Sequence, residues 1–116
     1  MLIYQIKIGI KPYKSDEFVK SMHSFLSKIR KQKGCLGYSV YRDTLEENSY
    51  SLFGEWKTRQ SMEKNFRIHE FELVIGAARV LGNTFAMNIG AVSNTGGFEL
   101  AKKQIATQNL ENPVAE

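Results

Sequence analysis

Residues 2–10, LIYQIKIGI, alternate in polarity. Leu2, Tyr4, Ile6, Ile8 and Ile10 share one face, and Gln5, Lys7 and Gly9 lie on the other with Ile3. A period of two predicts a strand with one well-buried face. Pro12 ends it, and Ser15 or Asp16 is placed to cap a helix. Over residues 16–33 the period changes. Phe18, Val19, Met22, Phe25, Leu26 and Ile29 form one apolar stripe of about three turns, suited to covering a sheet. Gly34, after Lys31 and Lys33, is a natural stop.

Residues 35–43, CLGYSVYRD, predict a second strand, with Leu36, Tyr38 and Val40 facing one way and Tyr41 the other. The polar stretch 44–49 is a turn, so the third strand, 50–57, pairs back as an antiparallel hairpin. In that strand Tyr50, Leu52, Gly54 and Trp56 share a face, and Phe53 and Glu55 share the other. Residues 58–81 predict helix in two pieces. The first carries Met62 and Phe66, the second carries Phe71, Val74, Ile75, Ala78 and Leu81, and Gly82 ends it. Residues 84–93 alternate again through Phe85, Met87, Ile89 and Ala91 as a fourth strand. After a break at 94–97, residues 98–109 predict a last helix with Phe98, Ala101 and Ile105 on one side, frayed from Asn109.

The order is β-α-β-β-α-β plus a tail, an α+β chain with the ferredoxin-like split β-α-β arrangement. It predicts one domain over 1–94, with a four-stranded antiparallel sheet under helices, and a C-terminal tail over 95–116. The face away from the helices carries Ile3, Tyr41, Phe53 and Val92, an apolar patch that invites association. A homodimer packed face to face hides it, and the tail helix then packs on the partner or covers a sheet edge.

Composition narrows the function classes. The chain is 42% hydrophobic and 24% charged, ordinary for a globular protein. No apolar run approaches the roughly 18 residues that span a bilayer, and Lys7 interrupts the first apolar stretch, so neither a membrane segment nor a signal peptide is expected. The cytoplasm is the default location. The net charge of +4 is densest at Lys28, Arg30, Lys31 and Lys33, which suit the negative end of the first helix; no nucleic-acid motif accompanies them. The single cysteine, Cys35, excludes an intrachain disulfide and reads as a small hydrophobe. Two histidines without matched carboxylates make no metal site.

Three stretches, KGCLGYSVYRD (33–43), SLFGEWKTRQSMEKNF (51–66) and HEF (69–71), resemble the antibiotic biosynthesis monooxygenase family. The resemblance implies a dimeric α/β-barrel. Enzymes of that family oxidise quinols or polyketide anthrones with O₂ and without metal or flavin, so no cofactor is expected. A phenolate or enolate can donate one electron directly to O₂. The protein then supplies a dry, shaped pocket and groups that favour the anion.

The resemblance places Trp56 at the end of the third strand, where its indole N–H can bond a substrate oxygen or its ring can simply pack the core. Family members commonly carry a histidine where this chain has Asn65, which hydrogen-bonds but does not act as a base near neutral pH. His69, one turn further if the helix is unbroken, is the alternative titrating group. Arg67 is the candidate for holding an anionic substrate. Tyr4, Tyr38, Leu52, Phe71, Phe85 and Met87 are expected to line the cavity, a lining suited to flat apolar molecules. The haem-degrading relatives of this fold need an axial histidine where this chain has Ile75, so haem is not expected.

Two functions compete. One is a cofactor-independent monooxygenase acting with O₂ on a quinol-like or polyaromatic small molecule. The other is a non-catalytic, ligand-binding or stress-related dimeric module of the same fold.

Overall fold

The computed structural model describes residues 1–111. The chain runs β1 (Leu2–Ile10), α1 (Ser15–Arg30), β2 (Cys35–Arg42), β3 (Ser49–Trp56), α2 (Arg59–Asn65), α3 (His69–Leu81), β4 (Gly82–Ala91) and α4 (Phe98–Glu111). The four strands form one antiparallel sheet in the order β2-β3-β1-β4. This is the split arrangement the alternation predicts, with the long second helix broken into α2 and α3. The helices lie on one face. Tyr4, Ile6, Ile8 and Ile10 of β1 meet Phe18, Met22 and Ile29 of α1 and Phe71, Val74, Ala78 and Leu81 of α3 in a single core. Lys28 and Glu70 add an ion pair at 3.8 Å between the two long helices.

The opposite sheet face is uncovered in the single chain. Tyr41 and Phe53 meet there edge to face at 5.7 Å. At one end of the molecule the two connections are tied, because the Ser15 hydroxyl donates to Asn48 Oδ1 at 2.6 Å.

Local departures from the predicted elements have physical causes. Ser15 does not cap α1, because its hydroxyl is spent on Asn48; Lys14 is the N-cap residue and neither it nor Asp16 makes a side-chain cap bond. Helix α1 stops at Arg30, three residues before the predicted end, and a turn carries the chain to Gly34 at φ +85. That left-handed angle is where glycine is needed. Leu36 does not share a face with Tyr38. The β2–β3 register shifts between Cys35 and Gly37, so Leu36 is the extra residue of a bulge and is 54% exposed. Gly82 ends α3 in an extended conformation, φ −96, not a left-handed one. Its lack of a side chain matters because a Cβ there would run into the carbonyl oxygen of Ala78.

Strand β4 begins and ends two residues before its predicted bounds, and its inward-facing Phe85 and Ile89 remain about half exposed beyond the cover of α3. The tail is helical, as α4, and stands off the body with Phe98 89% and Ile105 64% exposed. The radius of gyration, 17.0 Å, reflects this projection; a compact chain of this size has about 13 Å. Residues 112–116 of the predicted tail lie outside the described residues.

Candidate functional site

The site is built across three neighbouring strands. In the sheet register Gly54 of β3 lies between Tyr4 of β1 and Tyr38 of β2. A glycine inside a strand marks a close approach. A Cβ on Gly54 would fall 2.8 Å from Trp56 Nε1, 3.0 Å from Tyr38 Cε2 and 3.0 Å from Tyr4 Cζ. Three rings therefore converge over the bare glycine. Tyr4 stacks on Trp56, with centroids 6.3 Å apart and planes 18° apart, and meets Tyr38 edge to face at 5.7 Å. Phe66 and Phe71 close the other side of Tyr4 at 5.4 and 6.0 Å.

Helix α2 brings in the polar partner. Thr58 starts it in an extended conformation and accepts a hydrogen bond from the Ser61 amide at 3.1 Å. Met62 anchors it in the core. Its last residue, Asn65, is 0% exposed, the only buried polar or charged side chain among the described residues. The Tyr4 hydroxyl donates to Asn65 Oδ1 at 2.6 Å.

The electrostatics are those of a closed, dry cluster. Burial, reinforced by neighbouring Tyr38, raises the Tyr4 phenol well above the usual tyrosine range. Burial pushes Tyr38 up to about 12. Cys35, across the ladder from Trp56, is also raised by burial. Trp56 Nε1, Asn65 Nδ2 and the Tyr38 hydroxyl are buried without a hydrogen-bond partner among the described residues. Each can donate. The site thus presents aromatic faces and a surplus of donors, an arrangement that favours a flat ligand carrying negative charge on oxygen.

The structure brings together Trp56, Asn65, Tyr4, Tyr38 and Phe71 of the predicted set. Leu52 is buried beside them, in register with Ile6, and Met87 reaches the same strand position from β4. It does not bring in His69. The chain breaks between α2 and α3, Ile68 is extended, and His69 starts the new helix with its side chain 75% exposed, 3.9 Å from Glu72. Arg67, on the same break, is exposed. Phe85 lies opposite Ile8 whereas Trp56 lies opposite Leu2. Six residues of strand put it about 20 Å from the tryptophan. Gly54 and Phe66 belong to the site although sequence reasoning placed neither there. A glycine amid alternating large residues was the available signal for the first.

Among the described residues, no three His, Cys, Asp or Glu side chains are placed to hold a metal ion. Among the described residues no helix is long and apolar enough to cross a membrane.

An uncharacterised protein of Synechocystis is 36% identical over 67 residues, covering 55% of this chain. The chain spans just under half of that relative, 46% of its length. YcnE of Bacillus subtilis is 25% identical over 81 residues, 70% of this chain and 85% of that one. The crystal structure of a mutant of SnoaB, a cofactor-independent oxygenase from Streptomyces nogalater, superposes with a TM-score of 0.72 at 16% identity, over 81% of this chain and 94% of that one. The model of one family, antibiotic biosynthesis monooxygenase, matches residues 1–72, a span that holds Tyr4, Tyr38, Gly54, Trp56, Asn65 and Phe71. That match spans more than half of the 116 residues, and the chain belongs to the antibiotic biosynthesis monooxygenase family.

Proposed function

We propose that this protein is a cofactor-independent monooxygenase that uses O₂ to oxidise a quinol-like or polyaromatic phenol bound as its anion over Gly54. One observation carries the reading. Trp56 Nε1, Asn65 Nδ2 and the Tyr38 hydroxyl are buried donors without acceptors, set among aromatic faces. An unsatisfied buried donor costs about 1–3 kcal/mol. Three of the four unpartnered buried side-chain polar atoms among the described residues fall in this one cluster, the arrangement an oxyanion site uses. The fold it shares with SnoaB, itself a cofactor-independent oxygenase, supports the assignment.

The chemistry balances without a reductant. The bound phenolate passes one electron to O₂, and the resulting radical pair combines into a peroxide at ring carbon. Loss of water then leaves a quinone. A phenol with a free para C–H plus O₂ becomes a quinone plus water, so one oxygen atom enters the product and the substrate supplies all the electrons. The residues bind the ring, hold the oxygen as an anion and keep water out. In this state Tyr4, Trp56 and Asn65 are fully shielded, so substrate entry requires the cluster to open.

Oxygen uptake with a panel of quinols and anthrones tests the proposal. Uptake is expected with at least one of them. Trp56→Phe, which keeps an aromatic ring and removes the N–H, is expected to lower turnover by at least about tenfold, as loss of a hydrogen bond to a charged group does. His69→Ala is expected to leave it unchanged. An inert panel, or a Trp56→Phe protein as active as the wild type, sinks the proposal. The closed state favours one other reading, a ligand-binding module without catalysis. Thermal stabilisation by a quinol with no oxygen consumed selects that one.

The same proposal takes the protein as a homodimer whose second copy covers the open sheet face at Ile3, Tyr41, Phe53 and Val92, with α4 packed on the partner. A helix of this length is marginal alone in water, which is the reason to give it a partner. A monomer by light scattering at micromolar concentration refutes the dimer.

A further inference from the structure

The structure assigns a second ligand site to the groove between α1 and β2, built for a small amphipathic carboxylate. It goes beyond the site over Gly54 and does not depend on the oxygenation proposed there. Helix α1 sends Phe18, Met22 and Ile29 into the core and leaves Val19 and Leu26 on its flank, only partly covered. Across from them is Val40 of β2, also only partly covered. The space between them is a groove of about 510 Å³, within the range of small-molecule sites.

The rim is basic. Among the described residues His23, Arg30 and Arg42 line the groove, and no aspartate or glutamate does. Arg42 is in register with Tyr50, so it occupies a helix-side position of β2 where the alternation calls for an apolar residue. The neighbouring acid does not neutralise it. Asp43 Oδ1 accepts the Leu45 and Glu46 amides at 2.8 and 3.0 Å, turned into its own loop. Neither arginine forms an ion pair among the described residues.

The two ends of the groove differ. Helix α1 runs antiparallel to β2, so Arg30 lies near Tyr38 and His23 lies near Arg42, about 10 Å away along the helix. Arg30 is already engaged, its Nε donating to the Tyr38 carbonyl at 2.7 Å. That bond occupies an outward carbonyl of the edge strand and blunts it against an added strand. Arg30 thus has one edge taken, whereas no side-chain hydrogen bond or ion pair holds the Arg42 guanidinium among the described residues. A carboxylate takes both arms of a guanidinium, and an alcohol of the same length does not. The ligand therefore lies along Val19, Leu26 and Val40 with its carboxylate at Arg42 and His23.

Decanoate, with decan-1-ol as the uncharged control, probes this in the full chain by calorimetry and by amide chemical shifts. Decanoate is expected to shift the amides of residues 23–27 and 39–42 and to bind at least tenfold more tightly than decan-1-ol. Arg42→Gln, an exposed substitution, is expected to weaken it at least fivefold. Ser27→Trp, which fills the groove from the helix side, is expected to abolish it, while Trp56→Phe leaves it unchanged. The assignment is overturned if decanoate does not bind, if decan-1-ol binds equally well, if Arg42→Gln has no effect, or if the shifts map elsewhere.

Discussion

Replacing Gly54 with alanine tests the convergence on which the candidate site rests. The added methyl would sit 2.8 Å from Trp56 Nε1 and 3.0 Å from both Tyr38 Cε2 and Tyr4 Cζ. Comfortable carbon contacts lie at about 3.5–4.0 Å, so each approach is short by roughly half an ångström or more. None of the three rings can swing into solvent, because Trp56 and Tyr4 are 0% exposed and Tyr38 is 2%. Overpacking of this kind costs about 1–3 kcal/mol. Part is offset by the roughly 0.4–1 kcal/mol gained when alanine restricts the unfolded chain. A net loss of about 1–2 kcal/mol corresponds to a thermal midpoint lower by on the order of 5 °C or more. The assay is thermal unfolding followed by far-ultraviolet circular dichroism at fixed protein concentration. Adding Trp56→Phe to Gly54→Ala removes the shortest contact and is expected to restore part of the loss, a coupling that a double-mutant cycle reads directly. A Gly54→Ala protein as stable as the wild type would mean that the rings do not meet over that glycine.

Three further outcomes follow from single features. Gly76→Ala, in the exposed middle of α3 with nothing within 4 Å of its Cβ, is expected to raise the thermal midpoint through a gain of about 0.8–1 kcal/mol in helix propensity. In a urea-denaturation cycle, Tyr4→Phe and Asn65→Leu are each expected to cost about 1–3 kcal/mol by orphaning the other's buried group, and the double variant is expected to recover at least about 1 kcal/mol. At alkaline pH the native state should lose stability. Below pH 10 both states keep the Tyr38 proton, so its contribution is intact there; between pH 10 and about 12 the unfolded chain releases a proton that the native one holds, at about 1.4 kcal/mol per pH unit, and Tyr4 adds in the same direction. Equilibrium unfolding at pH 9 and pH 11.5 checks this, and a midpoint that does not fall between them refutes the burial of the two phenols.

The elements were legible because each carries one strong period. Strand β1 begins and ends where its alternation does, and the break after Asn65 shows in the shift from the Met62–Phe66 pair to the Phe71 stripe. The misreadings fall where a local rule yields to a tertiary contact. Ser15 is a good capping residue, but Asn48 from a distant turn takes its hydroxyl. Leu36 fits the alternation of β2 until the bulge inserts it as an extra residue and shifts the count. His69 fits a helical spacing from Asn65 that the Ile68 break interrupts. For the site, Trp56 and Asn65 were found through the family resemblance. The bond from Tyr4 across 61 positions to Asn65 has no local signature, and only the folded sheet places those two side chains together.

The same contacts constrain the proposed reaction. Near neutral pH the centre holds donors but no base. Asn65 does not titrate, Tyr4 is raised out of reach, Tyr38 lies at about 12, and His69 points into solvent from the far side of the chain break. The proton that must leave before an electron can pass to O₂ therefore has to leave a substrate acidic enough to lose it to water, with Trp56 and Asn65 lowering its pKa by stabilising the anion. A site of this kind selects on acidity as well as shape. Its pH–rate profile belongs to the substrate, so two active substrates whose phenols differ in acidity are expected to give kcat/KM profiles whose inflections differ by the same interval. If a histidine of the protein did the work, both profiles would break at one pH near the ordinary histidine range of about 6.5 whatever the substrate, and that result would refute a donor-only centre.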